Sequence, residues 1–230
     1  MRKTALPAMV CILVAGFFSF AWASGDGPGI TADEALKILK SGNKRFVAEK
    51  SCHPHQDGER RAETASKGQH PFVTVLTCSD SRVPPEVLFD SGIGDIFVIR
   101  VAGNVAGVNE TASIEYAVEH LKTPVLVVLG HTKCGAVTAA ATNAKVEPNI
   151  AKLLKSCEPA IQKARAWTPG AKGEALVPAA TTANVWQAVS DVYKASPIIA
   201  KKAKEGKLKV LGAIYDVEHG TIDWMENAPE

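Results

Sequence analysis

The chain has 230 residues, 26 basic and 24 acidic side chains, and 46% hydrophobic residues, enough for one sizeable folded domain. The near balance of charge removes the electrostatic case for a nucleic-acid or anionic-membrane partner. No stretch reaches the roughly 20 consecutive apolar residues that a spanning helix needs.

Residues 1–23 read as an export leader. Arg2 and Lys3 form a basic start, residues 8–20 (AMVCILVAGFFSF) an apolar middle, and Ala21-Trp22-Ala23 an A-x-A-like cleavage site. Cys11 lacks the small residue before it that a lipid-anchor site requires. The expected organisation is a signal peptide over 1–23 and a single domain over 24–230, exported and periplasmic in a two-membrane cell, with no membrane partner after cleavage. Loss of Arg2 and Lys3 leaves 24 basic residues against 24 acidic ones, so the processed chain is close to neutral.

The processed chain opens on an amphipathic helix over 31–49. Thr31 or Asp33 can cap it, and Ala35, Leu36, Leu39 and Phe46 recur near helical spacing. Residues 51–70 are polar and broken by Pro54 and Gly58, with a short helix around 58–66. Buried-strand runs follow at 72–77, 95–101 and 124–129, with a helix over 110–121 between the last two, its face formed by Ile114, Ala117, Val118 and Leu121. The stretch 166–183, rich in Pro, Gly, Ala and Thr, reads as a loop before a helix at 184–195. A fourth strand is expected at 208–215 and a short fifth near 221–224. This is an α/β pattern: a mostly parallel central sheet of four strands plus a short fifth edge strand, flanked by helices, with an N-terminal helical arm. Lys201, Lys202, Lys204, Lys207 and Lys209 read as a solvated helix end and the start of a strand, since Glu205 and Gly206 interrupt them.

Four cysteines remain in the processed chain. Cys78 falls just past the first strand, and His131 and Cys134 just past the third, where open α/β sheets build their ligand crevices. Two thiolates and one imidazole suit tetrahedral zinc with the fourth position open, the pattern of a catalytic site. Asp80 and Arg82, two and four residues after Cys78, can form a bidentate pair beside it. Cys52 and Cys157 are left over; spacing allows a disulfide or two free thiols equally.

Longer motifs then become specific. Cys78-Ser79-Asp80-Ser81-Arg82 runs into Val83-Pro84-Pro85-Glu86. RVAGN follows at 100–104, SIEYAVEHL at 113–121, GHTKCGAV at 130–137 and YDVEHG at 215–220. Together they resemble the β-class carbonic anhydrases over roughly residues 31–224. The resemblance implies one Zn2+ per chain, held by Cys78, His131 and Cys134, and reversible hydration of CO2 to bicarbonate. It implies that Asp80 orients the nucleophile and that Arg82 holds Asp80 off the metal. In some members this aspartate instead becomes a fourth ligand and shuts the enzyme off. Gln69 corresponds to the residue that orients CO2 or bicarbonate, and Phe97 and Tyr116 to apolar pocket positions of the plant-like subgroup. Bicarbonate-inhibited members carry a tryptophan three residues before the first zinc cysteine; Val75 stands there, so the chain resembles the always-open, plant-like type. Family members assemble as homodimers or higher multiples, with Gln69- and Phe97-type residues near a neighbour's zinc. Export departs from most members.

Three rivals leave more unexplained. The same scaffold can hydrolyse carbonyl sulfide or carbon disulfide. A non-catalytic zinc-binding or redox protein would need neither Asp80, Arg82 nor Gln69. A Cys/His acyl-transfer enzyme would need a thiolate free of metal.

Overall fold

The computed structural model describes residues 27–228, so the expected leader and its cleavage site lie outside the described residues. Among the described residues no helix is long and apolar enough to cross a membrane.

Helix α1, Ala32–Val47, starts where the polar Thr31 can replace missing helical partners. The Thr31 hydroxyl accepts from the Glu34 N–H, and the Glu34 carboxylate accepts from the Thr31 N–H in return. Its Ala35, Leu36 and Leu39 face is buried against the sheet. The loop that follows is fastened by two carboxylates. Asp90 accepts from the backbone N–H groups of Cys52 and His53 and from Arg45 Nε. Asp95 meets His55 Nδ1, Arg60 Nη2 and the Gly92 N–H. Helix α2, Gly58–Lys67, closes this arm.

Strands β1 (Val73–Thr77), β2 (Ile96–Arg100), β3 (Val125–His131), β4 (Lys209–Tyr215) and β5 (Ile222–Met225) form one sheet in the order β2-β1-β3-β4-β5. All pairings are parallel except the antiparallel edge strand β5. The expected strands are present within two residues of their expected limits. The all-buried runs of β1 and β3 follow from their central places, because helices cover both faces of a parallel sheet. α1 and α3 (Pro85–Leu88) cover one face. α4 (Val108–Glu119) and α8 (Val177–Ala195) cover the other.

The expected loop over 166–183 is corrected in its second half. A 3-10 turn at Gly173–Leu176 leads directly into α8, so residues 177–183 are helical. Pro178 sits in the first turn, where its missing N–H is not needed. Ala180 and Ala183 are fully buried against Ala160 and Ala164 of α7 (Glu158–Trp167). These small residues serve close helix packing, although their composition resembles that of a loop. Helices α5 (Gly135–Thr142), α6 (Pro148–Leu154) and α7 occupy a stretch to which the sequence reading assigned no element. α9, Pro197–Lys204, ends on Lys201, Lys202 and Lys204, which favour the negative end of the helix dipole. Lys202 pairs with Glu119 at 2.8 Å and Lys209 with Asp33 at 3.0 Å.

Cys52 is exposed and Cys157 fully buried; both are free thiols, so the disulfide left open by spacing is not formed.

Candidate metal centre

β1 and β3 are neighbours, and their C-terminal ends deliver the ligands. The Thr77 hydroxyl donates to the Leu129 carbonyl at 2.8 Å and ties the two strands together just before Cys78. His131 is the last residue of β3. The chain then turns through Lys133, whose φ is 57°, and Cys134 occupies the N-cap of α5. A helix N-terminus favours a thiolate there.

Cys78 Sγ, a ring nitrogen of His131 and Cys134 Sγ all lie within 4.8 Å of one another, and all three residues are buried. His131 Nδ1 lies 2.9 Å from the Thr132 carbonyl. A carbonyl only accepts, so Nδ1 carries the proton and Nε2 presents its lone pair. That Nε2 is buried without a hydrogen-bond partner. An orphaned imidazole lone pair beside two sulfurs fits a borderline-soft divalent ion, and the donor set fits zinc.

The Cys134 side chain, joined by the N–H groups of Asp80 and Gly103, outweighs burial and holds the Cys78 thiol well below its ordinary value. Cys134 is pushed up by its bond to Cys78 and by burial. A divalent ion takes both sulfurs as thiolates and displaces the protons they carry.

Asp80 stands beside this cluster and is not part of it. Arg82 Nε donates to Oδ1 at 2.9 Å and Nη2 to Oδ2 at 2.7 Å, and the Arg82 backbone N–H adds a bond to Oδ1 at 2.9 Å. These bonds hold the Asp80 carboxyl well below the usual carboxylate range. Its Oδ2 lies 4.0 Å from His131 Nε2.

Of the expected site residues, the structure brings together Cys78, His131, Cys134, Asp80 and Arg82. Gln69 is exposed on the segment between α2 and β1. The rings of Phe97 and Tyr116 lie 5.9 Å apart and line a cavity of about 700 Å³ with Pro197 and Ile198. Phe97 packs on the apolar cluster of Ile114 and Val118, separate from the one containing Cys78 and Cys134. Three residues were missed. Arg100 donates to the Cys78 carbonyl at 3.1 Å and the Asp80 carbonyl at 2.5 Å. Gly103 N–H donates to Cys78 Sγ at 3.3 Å, and Asn184 holds the Gly103 carbonyl at 2.7 Å. Arg100 and Gly103 lie in the RVAGN motif, which was the available signal; Asn184 had none.

A parallel α/β sheet whose strand ends carry an open Cys-His-Cys ligand set beside a clamped carboxylate defines a zinc enzyme acting on a small electrophile. The family description "Carbonic anhydrase" matches residues 73–222. The chain is 36% identical over 197 residues to carbonic anhydrase 2 of Mycobacterium tuberculosis, covering 84% of this chain and 92% of that protein. Among solved structures, the β-carbonic anhydrase CafA of Aspergillus fumigatus aligns with a TM-score of 0.66 at 30% identity, over 85% of this chain and 92% of that one. Tetrameric β-carbonic anhydrases of Sordaria macrospora align with a TM-score of 0.64 at 27% identity, over 86% of this chain and 100% of that one. The chain belongs to the carbonic anhydrase family, in its β class. It is a zinc enzyme that catalyses the reversible hydration of CO2 to bicarbonate and a proton.

Proposed function

We propose that the chain performs this hydration in the always-open manner of the plant-like subgroup, with Asp80 and Arg82 as its catalytic pair. The observation that carries this reading is the two-bond clamp of Arg82 on Asp80, which leaves the carboxylate outside the ligand cluster. When bound, zinc supplies Lewis-acid activation of a water at its open position. Cys78, His131 and Cys134 would hold it. Asp80, kept ionised by Arg82, accepts a hydrogen bond from the nucleophile and turns its lone pair toward the CO2 carbon. Arg82 fixes the angle at which that acceptor faces the site.

Gln69 is read as the donor to the developing carboxylate oxygens, and Phe97 and Tyr116 as apolar walls for CO2. A second copy of the chain is the source we infer for these groups, since within one chain Gln69 faces solvent and Phe97 joins another cluster. The tetrameric Sordaria relatives support a homo-oligomer. We further infer export, with a leader over 1–23 and a single domain over 24–230.

Stopped-flow CO2 hydration at pH 8.5, zinc content and light scattering on one sample test this reading. Expected are rapid hydration, about one zinc per chain, and a dimer or larger. A fully active monomer would remove the shared pocket, and full zinc without hydration would remove the open site. Mass analysis of the secreted product should place its first residue at Ser24.

A further inference from the structure

The Cys78 sulfur receives two backbone donors, the Asp80 N–H at 3.4 Å and the Gly103 N–H at 3.3 Å. The first comes from the loop that contains Cys78. The second comes from the separate 3-10 turn Ala102–Asn104 and stays on the sulfur only while that turn keeps its shape. Gly103 adopts φ 73°, ψ 14°, a region that glycine enters freely and leaves as freely. A Cβ there would stand 3.1 Å from Ala136 Cβ, which would have to give by a few tenths of an ångström, and the positive φ would strain any larger residue placed there to stiffen the turn. The restraint has to come from outside.

Asn184 supplies it. From the middle of α8 its Nδ2 donates to the Gly103 carbonyl at 2.7 Å, in a fully buried bond, with Asn184 itself 2% exposed. The helix that carries Asn184 is fixed against the sheet. Val185, the next residue, approaches β3 and β4 so closely that a Cβ at Gly130 or Gly212 would lie 2.7 Å or 2.9 Å from its methyl groups. A rigid helix, one side-chain amide and one glycine therefore connect α8 to a ligand sulfur.

We propose that Asn184 is a positioning residue of the zinc centre: by holding the Gly103 carbonyl it keeps the Gly103 N–H on Cys78 Sγ. This rests on the zinc reading of the Cys78, His131 and Cys134 cluster. An N–H bond withdraws charge from a metal-bound thiolate, so its loss both disorders the ligand and raises the energy of the sulfur lone pair.

The test uses Asn184→Leu and the smaller Asn184→Ala, neither of which can donate to the Gly103 carbonyl. Gln187→Leu is the control, because Gln187 is also a buried amide on α8 but bonds Asp191 at 2.8 Å. Zinc affinity is measured by chelator competition, and the sulfur-to-metal absorption band is recorded on the Co(II)-substituted proteins. Expected for both Asn184 variants are about 10- to 100-fold weaker zinc binding and a band moved to longer wavelength, with neither change in Gln187→Leu. If Asn184→Leu fails to fold, Asn184→Ala carries the same expectation. Wild-type affinity and band position in the Asn184 variants would overturn the proposal. So would equal weakening in the Asn184 and Gln187 variants with no band shift, which is the signature of lost packing alone. A wild-type protein that binds no zinc would overturn the zinc reading itself, and that outcome is visible before any variant is compared.

Discussion

Arg82 grips both oxygens of Asp80, with Nε 2.9 Å from Oδ1 and Nη2 2.7 Å from Oδ2, and its remaining reach goes to the Lys133 carbonyl at 3.2 Å. The pair thus joins the loop after β1 to the turn after β3, the two segments that hold the ligands. A planar fork is required for this, and Lys cannot provide it. Arg82→Lys should lower CO2 hydration by about 10- to 100-fold, the loss of one or two charge-assisted bonds, while zinc stays bound. Stopped-flow rates and metal analysis of the same preparation check both halves; an unchanged rate would remove the clamp from the mechanism.

Cys78 and Asp80 are two residues apart and should separate cleanly. Cys78→Ser removes a ligand, so zinc should drop from about one per chain to a small fraction after dialysis against a weak chelator. Asp80→Asn keeps the ligand set and should retain zinc, yet lose roughly 100-fold or more in hydration rate. If Asp80→Asn lost zinc as well, the carboxylate would be a ligand, and the open-site reading would fail.

The ligand charges set the direction of the pH profile. Two thiolates and a neutral His131 cancel the charge of the divalent ion, so its water is less acidified than at a three-histidine site, where the pKa is about 7. Hydration should therefore rise as pH increases above neutrality. A flat rate between about pH 6.5 and 9 would contradict this assignment.

Asp90 predicts an acid-dependent stability. Its side chain is fully buried, and although burial pushes the carboxyl up, the Cys52 N–H, Arg45 and the His53 N–H bring it below its ordinary value. A depressed folded value means that the stabilisation is complete above the unfolded value of about 3.9 and is lost as pH falls through it toward the folded value. Asp90→Asn should cost about 1–3 kcal/mol at pH 7, discounted because Arg45 is partly exposed. Thermal melts at pH 7 and pH 3 should show the difference between variant and wild type shrinking at the lower pH. An equal gap at both would assign the effect to shape alone.

The five strands, α1 and the ligand positions were legible because each depends on neighbouring residues, while the choice of Thr31 over Asp33 as the cap of α1 came from the structure. An apolar run such as Val125–Leu129 means a buried strand wherever it sits, and a thiol placed just beyond such a run lands at the sheet's carboxyl edge. Residues 177–183 were misread because Ala, Thr and Pro serve a loop and a tightly packed helix start equally well; only contact with α7 distinguishes the two. Helices α5 to α7 left too weak a pattern to read, since each buries at most three residues and half of these are small alanines.

By itself the amino-acid order determined which segments are strands, which side chains can bind zinc, and that a carboxylate and a guanidinium follow the first thiol at a spacing that lets them pair. Tertiary structure alone decided that His131 presents Nε2 and donates through Nδ1, and that Cys52 and Cys157 stay apart as exposed and buried thiols. It alone decided that Asn184, 81 positions from Gly103, reaches that carbonyl. Periodicity and capping act over a few neighbouring residues and so appear in the sequence. A hydrogen bond between distant segments depends on how the sheet and helices bring them together, and no local pattern encodes that.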